Sequence, residues 1–135
     1  MLSIEPIYMK PDCEDIKIAI GFYGNRLHTI DFTRGSDGDA YMMMHQNETE
    51  LTFQEKPGIG CLSSLVLDSK ALIVCGSFDH RIRMVSARTL KLLVQLSFHQ
   101  KIVNRVEVQR GKGKGEVTVH SVSEDGYYAQ WLLTL

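Results

Sequence analysis

The sequence predicts an all-β protein built from repeated antiparallel units. Apolar and polar residues alternate over short runs such as Ile16–Phe22, which is the period-two pattern of a half-buried strand. The run Ala71–Ser77 is almost continuously apolar, which is typical of a strand buried on both faces. No helical periodicity of useful length occurs along the 135 residues. These observations together predict strands and turns throughout the chain.

The predicted strands recur in a fixed order. Two apolar strands are followed by a tight polar turn, a return strand and a fourth strand. The turns Phe78–His80 and Glu124–Gly126 hold equivalent positions, and Asp79 and Asp125 within them are separated by close to the ~40–45-residue period of WD repeats. We therefore expect three units, at residues 1–56, 57–98 and 99–135. The segment Leu51–Gln54 is either a further strand or part of a long connection.

The third unit carries the residues of a WD-type blade. A His precedes its first strand, an Asp-Gly pair suited to tight turns closes its hairpin, and a Trp follows soon afterwards. In such blades these side chains and a hydroxyl on the second strand form one buried hydrogen-bonded network, which is stabilising when every member has a partner. The predicted members are His99, Ser121 (or Ser123), Asp125 and Trp131. The alternative is an ordinary meander that happens to contain these residues.

The fold class predicted for the whole chain is a partial WD40 β-propeller of about three four-stranded antiparallel blades. Leu132–Leu135 follows Trp131 directly, so the last blade is expected to lack its outer strand. Three blades are fewer than the four to eight that known propellers need for closure. The chain is therefore expected to be the C-terminal portion of a larger propeller. The alternative is a self-contained β-sandwich or small barrel.

The second and third units also allow a closer comparison. Residues 57–135 resemble the C-terminal repeats of the ASTRA-associated WD-repeat protein family, which includes G-protein-β-subunit-like relatives. The matching segments are Pro57–Gly60, Phe78–Arg83, Leu96–His99, Ser123–Gly126 and Trp131. Two positions depart from the pattern, because Val85 and Ile30 stand where a WD Trp would lie. Asp79 is therefore expected to lack a complete network of its own.

The resemblance implies a non-catalytic scaffold subunit of a nuclear ASTRA-type complex. The implied partners are a large phosphatidylinositol-kinase-like protein, its maturation factors and AAA+ ATPases. The implied roles are chromatin remodelling and the assembly of those kinases, and the implied location is the nucleus, with the cytoplasm as a second location. The alternative is a G-protein-β-like signalling propeller or another protein-interaction propeller.

Two groups of side chains are predicted to contact partner proteins, because Arg and aromatic residues are enriched in interfaces. Ordinary solvated loops are the alternative for both groups. The first group surrounds a turn and comprises Phe78, His80, Arg81 and Arg83. The second group is a small basic loop that comprises Arg110, Lys112 and Lys114.

Other function classes find little support in the sequence. The net charge of −1 offers no global field for nucleic acid or an anionic membrane, so neither is expected as a direct partner. No apolar run approaches the length of a membrane span. The five histidines show neither the spacing of a helical zinc site nor a cluster with cysteines. No catalytic residue, metal ligand or cofactor is therefore assigned, and an enzyme built on a propeller remains a rival hypothesis.

Overall fold

The protein is all-β, as predicted, with eleven strands and no helix among the residues that the structure describes. The computed structural model describes residues 3–7, 15–22, 24, 26–34, 41–53, 56–68 and 70–135, without the side chains of residues 34 and 41–45. The strands are β1 (Ser3–Ile7), β2 (Ile16–Gly21), β3 (Arg26–Arg34), β4 (Tyr41–Glu50), β5 (Ile59–Leu67), β6 (Lys70–Ser77), β7 (Arg81–Ser86), β8 (Leu92–Ser97), β9 (Val103–Arg110), β10 (Glu116–Ser123) and β11 (Tyr128–Thr134).

The strands form three antiparallel meanders. Sheet 1 has the order β1-β2-β3-β4, sheet 2 the order β5-β6-β7-β8, and sheet 3 the order β9-β10-β11. Each predicted unit thus contains one sheet. Residues 51–53 belong to the connection between sheets 1 and 2 and form no strand. Strand β11 extends through Leu132 to Thr134, and within the described residues it is paired on one side only, with β10.

The three sheets pack face to face through two apolar layers. Strand β6 contributes to both layers, because Ile73 and Cys75 join the core shared with sheet 1 while Leu72 and Val74 join the core shared with sheet 3. Both faces of this strand are buried, which explains the continuous apolar run that marks it in the sequence. Because successive side chains of β6 point to opposite faces, the middle sheet packs against both of its neighbours.

A glycine marks each junction between sheets. Gly21 of sheet 1 lies so close to Ile59 that an added Cβ would lie 2.9 Å from the Ile59 Cβ. Gly76 of sheet 2 lies so close to Val103 that an added Cβ would lie 2.8 Å from its Cγ1. In both cases, the first residue of one sheet packs against the end of the second strand of the preceding sheet. The close approach requires a residue without a side chain.

Polar contacts between the first strands of the sheets supplement this packing. The carboxylate of Glu5 on β1 accepts hydrogen bonds from the backbone N–H and the hydroxyl of Ser64 on β5, at 3.1 and 3.0 Å. The hydroxyl of Ser63 accepts a 3.2 Å hydrogen bond from the backbone N–H of Val108 on β9. The position of each sheet relative to its neighbour is thus fixed by hydrogen bonds as well as by apolar contact.

The face of β2 that points away from sheet 2 is apolar. On β2, Ala19 and Gly21 are the buried residues that face sheet 2. The three isoleucines of β2 lie on the opposite face and are half-buried; they are Ile16, Ile18 and Ile20. On this strand the small residues pack against the neighbouring sheet and the larger ones do not.

We expect Gly76→Ala to destabilise the protein by about 1–3 kcal/mol, because the new methyl group would overlap the Cys61 sulfur and Val103 and would overpack the core. Gly24→Ala is the matched control, because no atom lies within 4 Å of a Cβ added there. Urea unfolding of both variants measures the difference. Equal losses of unfolding free energy would contradict this account of the junction.

Candidate functional site

The turns that contain Asp79 and Asp125 lie at the same end of the stacked sheets, which we call the Asp-turn end. The described residues that lead directly into sheets 2 and 3, residues 56–58 and 98–102, reach the same end, because they precede the first residues of β5 and β9. The predicted network around Asp125 and the predicted partner group around Asp79 therefore lie at the same end. The predicted basic loop lies at the opposite end.

A hydrogen-bonded network occupies the Asp-turn end of sheet 3. The His99 Nδ1 lies 3.0 Å from the Asp125 carboxylate, and the His99 Nε2 lies 2.7 Å from the Ser121 hydroxyl. An ionised carboxylate can only accept, so Nδ1 donates, and a neutral His99 then accepts the Ser121 hydrogen at Nε2. Both His99 and Ser121 are buried. Because every polar atom named here has a partner, the network can stabilise the turn.

Trp131 and Ser123 hold different positions around this network. Trp131 contacts His99 edge to face, with 6.2 Å between the ring centres, and packs against the core between sheets 2 and 3. Its side chain has no hydrogen-bond partner among the described residues, so the prediction that it joins the hydrogen-bonded network is wrong. The hydroxyl of Ser123 donates a 3.1 Å hydrogen bond to the Lys101 carbonyl and accepts one from the backbone N–H of Asp125. Ser121 is thus the hydroxyl that meets His99, and Ser123 joins the turn to the incoming connection.

Asp125 also binds backbone N–H groups. Its Oδ2 accepts from Gln100 at 3.0 Å and its Oδ1 accepts from Tyr127 at 2.9 Å. Burial of the carboxylate acts to raise the pKa of Asp125, but the two backbone hydrogen bonds and His99 outweigh it. The pKa of Asp125 is consequently lowered from its ordinary value of 3.8 to about 2. Asp125 is therefore ionised at neutral pH.

Two exposed aromatic side chains lie directly above this network. Phe98 and Tyr127 are 54% and 64% exposed, and their rings meet edge to face at 6.1 Å. A groove of about 580 Å³ is lined by Phe98, Gln100, Lys101, Asp125 and Tyr127. Neither aromatic residue was predicted from the sequence as part of a site. Their positions next to His99 and to the Asp-Gly turn are the signal that could have revealed them.

The prediction that Arg83 contacts a partner is wrong, because the side chain is only 1% exposed. Its guanidinium forms two hydrogen bonds with the buried Asp79 carboxylate, at 2.9 and 2.5 Å. It also donates to the Ser77 hydroxyl and the Thr52 carbonyl, and it lies 4.4 Å from the centre of the Phe53 ring. The expectation that Asp79 lacks a network is therefore wrong too. Arg83 takes the role that His99 has in sheet 3.

The other three residues of that predicted group surround the turn of sheet 2. Phe78, His80 and Arg81 are all half-buried. The Phe78 ring packs over Gly60, where an added Cβ would lie 3.0 Å from it. His80 adopts the left-handed backbone conformation at the turn, with φ of 71°. These side chains line the Asp-turn end but are less accessible than Phe98 and Tyr127.

The predicted basic loop lies at the far end of sheet 3. Arg110 pairs with Asp68 at 3.6 Å and donates to the Val66 carbonyl at 3.4 Å, so it bridges sheets 2 and 3. Lys112 and Lys114 are exposed. Of the three residues, these two lysines offer their charges most openly to a partner.

Two other kinds of feature are absent from the described part of the chain. No three His, Cys, Asp or Glu side chains there are grouped as a metal ion would require. The same residues include no helix long and apolar enough to cross a membrane.

We expect Asp79→Ala to reduce the unfolding free energy by about 3–5 kcal/mol, because it leaves the Arg83 guanidinium buried without its counter-charge. Adding Arg83→Met should recover much of that loss, since the double variant buries no unpaired charge. Urea unfolding of the single and double variants provides the measurement. A double variant no more stable than Asp79→Ala would rule out the buried pair as the cause.

The lowered pKa of Asp125 predicts a specific acid response. A depressed folded-state pKa contributes stability that is fully present above the ordinary value of 3.8 and is lost as pH falls through about 2. Asp125→Asn should therefore flatten the decline in stability between about pH 4 and pH 2. Asp68→Asn, at an exposed carboxylate, is the control. Urea unfolding across this pH range tests the effect, and an unchanged slope in Asp125→Asn would contradict it.

A similar fold occurs in a chain of the solved structure described as apo ctPRC2 in an autoinhibited state. The TM-score is 0.65 and the sequence identity is 13%. The match covers 96% of this chain and 27% of that chain, so this chain spans little more than a quarter of the other's length. No family model and no curated protein sequence matches the chain. At this level of identity, the likeness concerns the fold alone.

Proposed function

We propose that the chain is a non-catalytic protein-interaction unit, built as three consecutive blades of a WD-type propeller, which binds a partner protein at the Asp-turn end of sheet 3. The observation that carries the proposal is the exposed Phe98–Tyr127 pair above the His99–Ser121–Asp125 network. Exposed aromatic side chains on a hydrogen-bonded base lose little conformational entropy when a partner covers them.

The neighbouring charges favour a protein partner. Lys101 lines the groove with the aromatic pair, Glu124 belongs to the turn that precedes Tyr127, and both are exposed. An aromatic centre with a charged rim has the composition of a protein interface, where a few buried anchors contribute most of the affinity. Such an anchor needs no catalytic group, and the polar atoms of the underlying network are already paired with one another.

The more specific proposal is a scaffold role in a nuclear ASTRA-type complex. Its support is the resemblance of residues 57–135 to the ASTRA-associated WD-repeat family. The proposed partners are the phosphatidylinositol-kinase-like protein, its maturation factors and the AAA+ ATPases, and the proposed roles are chromatin remodelling and kinase assembly. The structural likeness to a chain of a ctPRC2 structure supports the fold and not this role.

A pull-down with the tagged full chain from nuclear extract, followed by mass spectrometry, tests this proposal. Phe98→Ser with Tyr127→Ser should reduce capture of kinase-like and AAA+ subunits by about tenfold or more, because it removes both anchors. Tyr128→Ser is the matched control, since Tyr128 is equally exposed but contacts His120 on the free face of sheet 3.

Three outcomes would contradict the proposal. Equal capture by both variants would remove the aromatic pair from the interface. Capture of G-protein signalling components in place of those subunits would replace the ASTRA assignment with the signalling alternative. Substrate turnover by the purified chain would refute the non-catalytic assignment.

A further inference from the structure

Folding gathers basic side chains from three separate turns at the end of sheets 2 and 3 opposite the Asp-turn end. We call this surface the basic end, and its members are Lys70, Arg88, Arg110, Lys112 and Lys114. The chain as a whole carries a net charge of −1, so this local excess of positive charge arises from the fold and not from the composition. Only part of the cluster is visible as a run in the sequence.

Specific contacts bring the three turns together. The backbone N–H of Ala87 donates a 2.8 Å hydrogen bond to the carbonyl of Ala71, which places Arg88 beside Lys70. Arg110 reaches from β9 to the Val66 carbonyl on β5. The basic end is therefore one continuous surface across two sheets.

The acidic side chains at this end leave most of its positive charge uncompensated. Asp68 pairs with Arg110. The Glu116 carboxylate accepts the backbone N–H of Gly113 at 2.7 Å. Within the described part of the chain, Lys70 and Lys114 are exposed and form no ion pair.

A groove runs between these two lysines. It has a volume of about 380 Å³, and it is lined by Leu67, Asp68, Lys70, Lys114, Gly115 and Leu135. The Asp68 carboxylate is paired with Arg110, so the lining combines apolar side chains with two ammonium groups that form no ion pair among the described residues. A ligand that fits this arrangement has negative charges on both sides of an apolar group.

We propose that the basic end binds an acidic segment of a partner protein, in which an apolar side chain lies between carboxylates. The carboxylates pair with Lys70 and Lys114, and the apolar side chain enters the groove beside Leu67 and Leu135. This surface shares no residue with the aromatic pair at the Asp-turn end. The proposal is therefore independent of the function proposed above.

Nucleic acid fits this surface less well. The sequence has no aromatic residue in the turns at residues 66–72, 86–92 and 109–117 on which a base could stack. A sugar-phosphate backbone also has no apolar side chain to place in the groove. A groove lined by two lysines and by apolar side chains suits an acidic peptide with an apolar residue better than it suits a row of phosphates.

Fluorescence anisotropy with the full chain tests the proposal. The probe is a labelled synthetic peptide of repeated Glu-Leu-Glu, and its comparisons are the same peptide with Leu replaced by Ser and a single-stranded DNA of equal charge. Lys70→Glu with Lys114→Glu should raise the Kd of the probe by about tenfold or more. Lys56→Glu with Arg105→Glu, which changes the net charge equally at two exposed basic residues outside both proposed surfaces, should leave that Kd within about twofold.

The expected result also includes a weaker Kd for the Ser peptide, because the groove would then hold no apolar side chain. Several outcomes would overturn the proposal. They are equal losses in the two double variants, equal binding of the Leu and Ser peptides, and tighter binding of the DNA than of the peptide. Circular dichroism of each variant establishes that the fold is retained.

Discussion

The join between sheets 1 and 2 depends on the buried pair of Asp79 and Arg83. A guanidinium that is almost completely buried is tolerated only when its charge and its N–H groups are matched. Asp79 supplies the counter-charge, and the Thr52 carbonyl and the Phe53 ring come from the connection that enters sheet 2. The requirement to satisfy one buried cation therefore fixes the turn, the return strand and the connection relative to one another.

Sheet 3 reaches the same result with different chemistry. Asp125 occupies the turn position that Asp79 has in sheet 2, but its partners are His99 and the backbone of Gln100, which belong to the connection entering sheet 3. In both sheets, the turn carboxylate attaches the incoming connection to the second hairpin. In sheet 2 the partner of the turn carboxylate is Arg83 of the return strand, whereas in sheet 3 it is His99 of the connection itself. Both arrangements satisfy the carboxylate of the turn.

The sequence was sufficient for the parts of the fold that depend on local pattern. Period-two alternation located the strands, and the Asp-Gly pair and His99 indicated the network of sheet 3. The sequence failed at Arg83, because an arginine beside a turn suggested an exposed interface residue, and only the position of Asp79 across the turn explains its burial. Pattern alone also could not show that Phe98 and Tyr127 meet, since that contact joins two segments far apart in the chain.

The two ends of the stacked sheets therefore differ in the physical basis of any binding they support. At the Asp-turn end, buried hydrogen bonds hold exposed aromatic rings in place, so contact there gains affinity from apolar burial at small entropic cost. At the basic end, exposed lysine side chains lie in or next to turns, and attraction there depends on charge and weakens with salt. Apolar contact mainly slows dissociation, whereas charge mainly accelerates encounter. Because the two surfaces share no residues, a partner at one end leaves the other end open to a second.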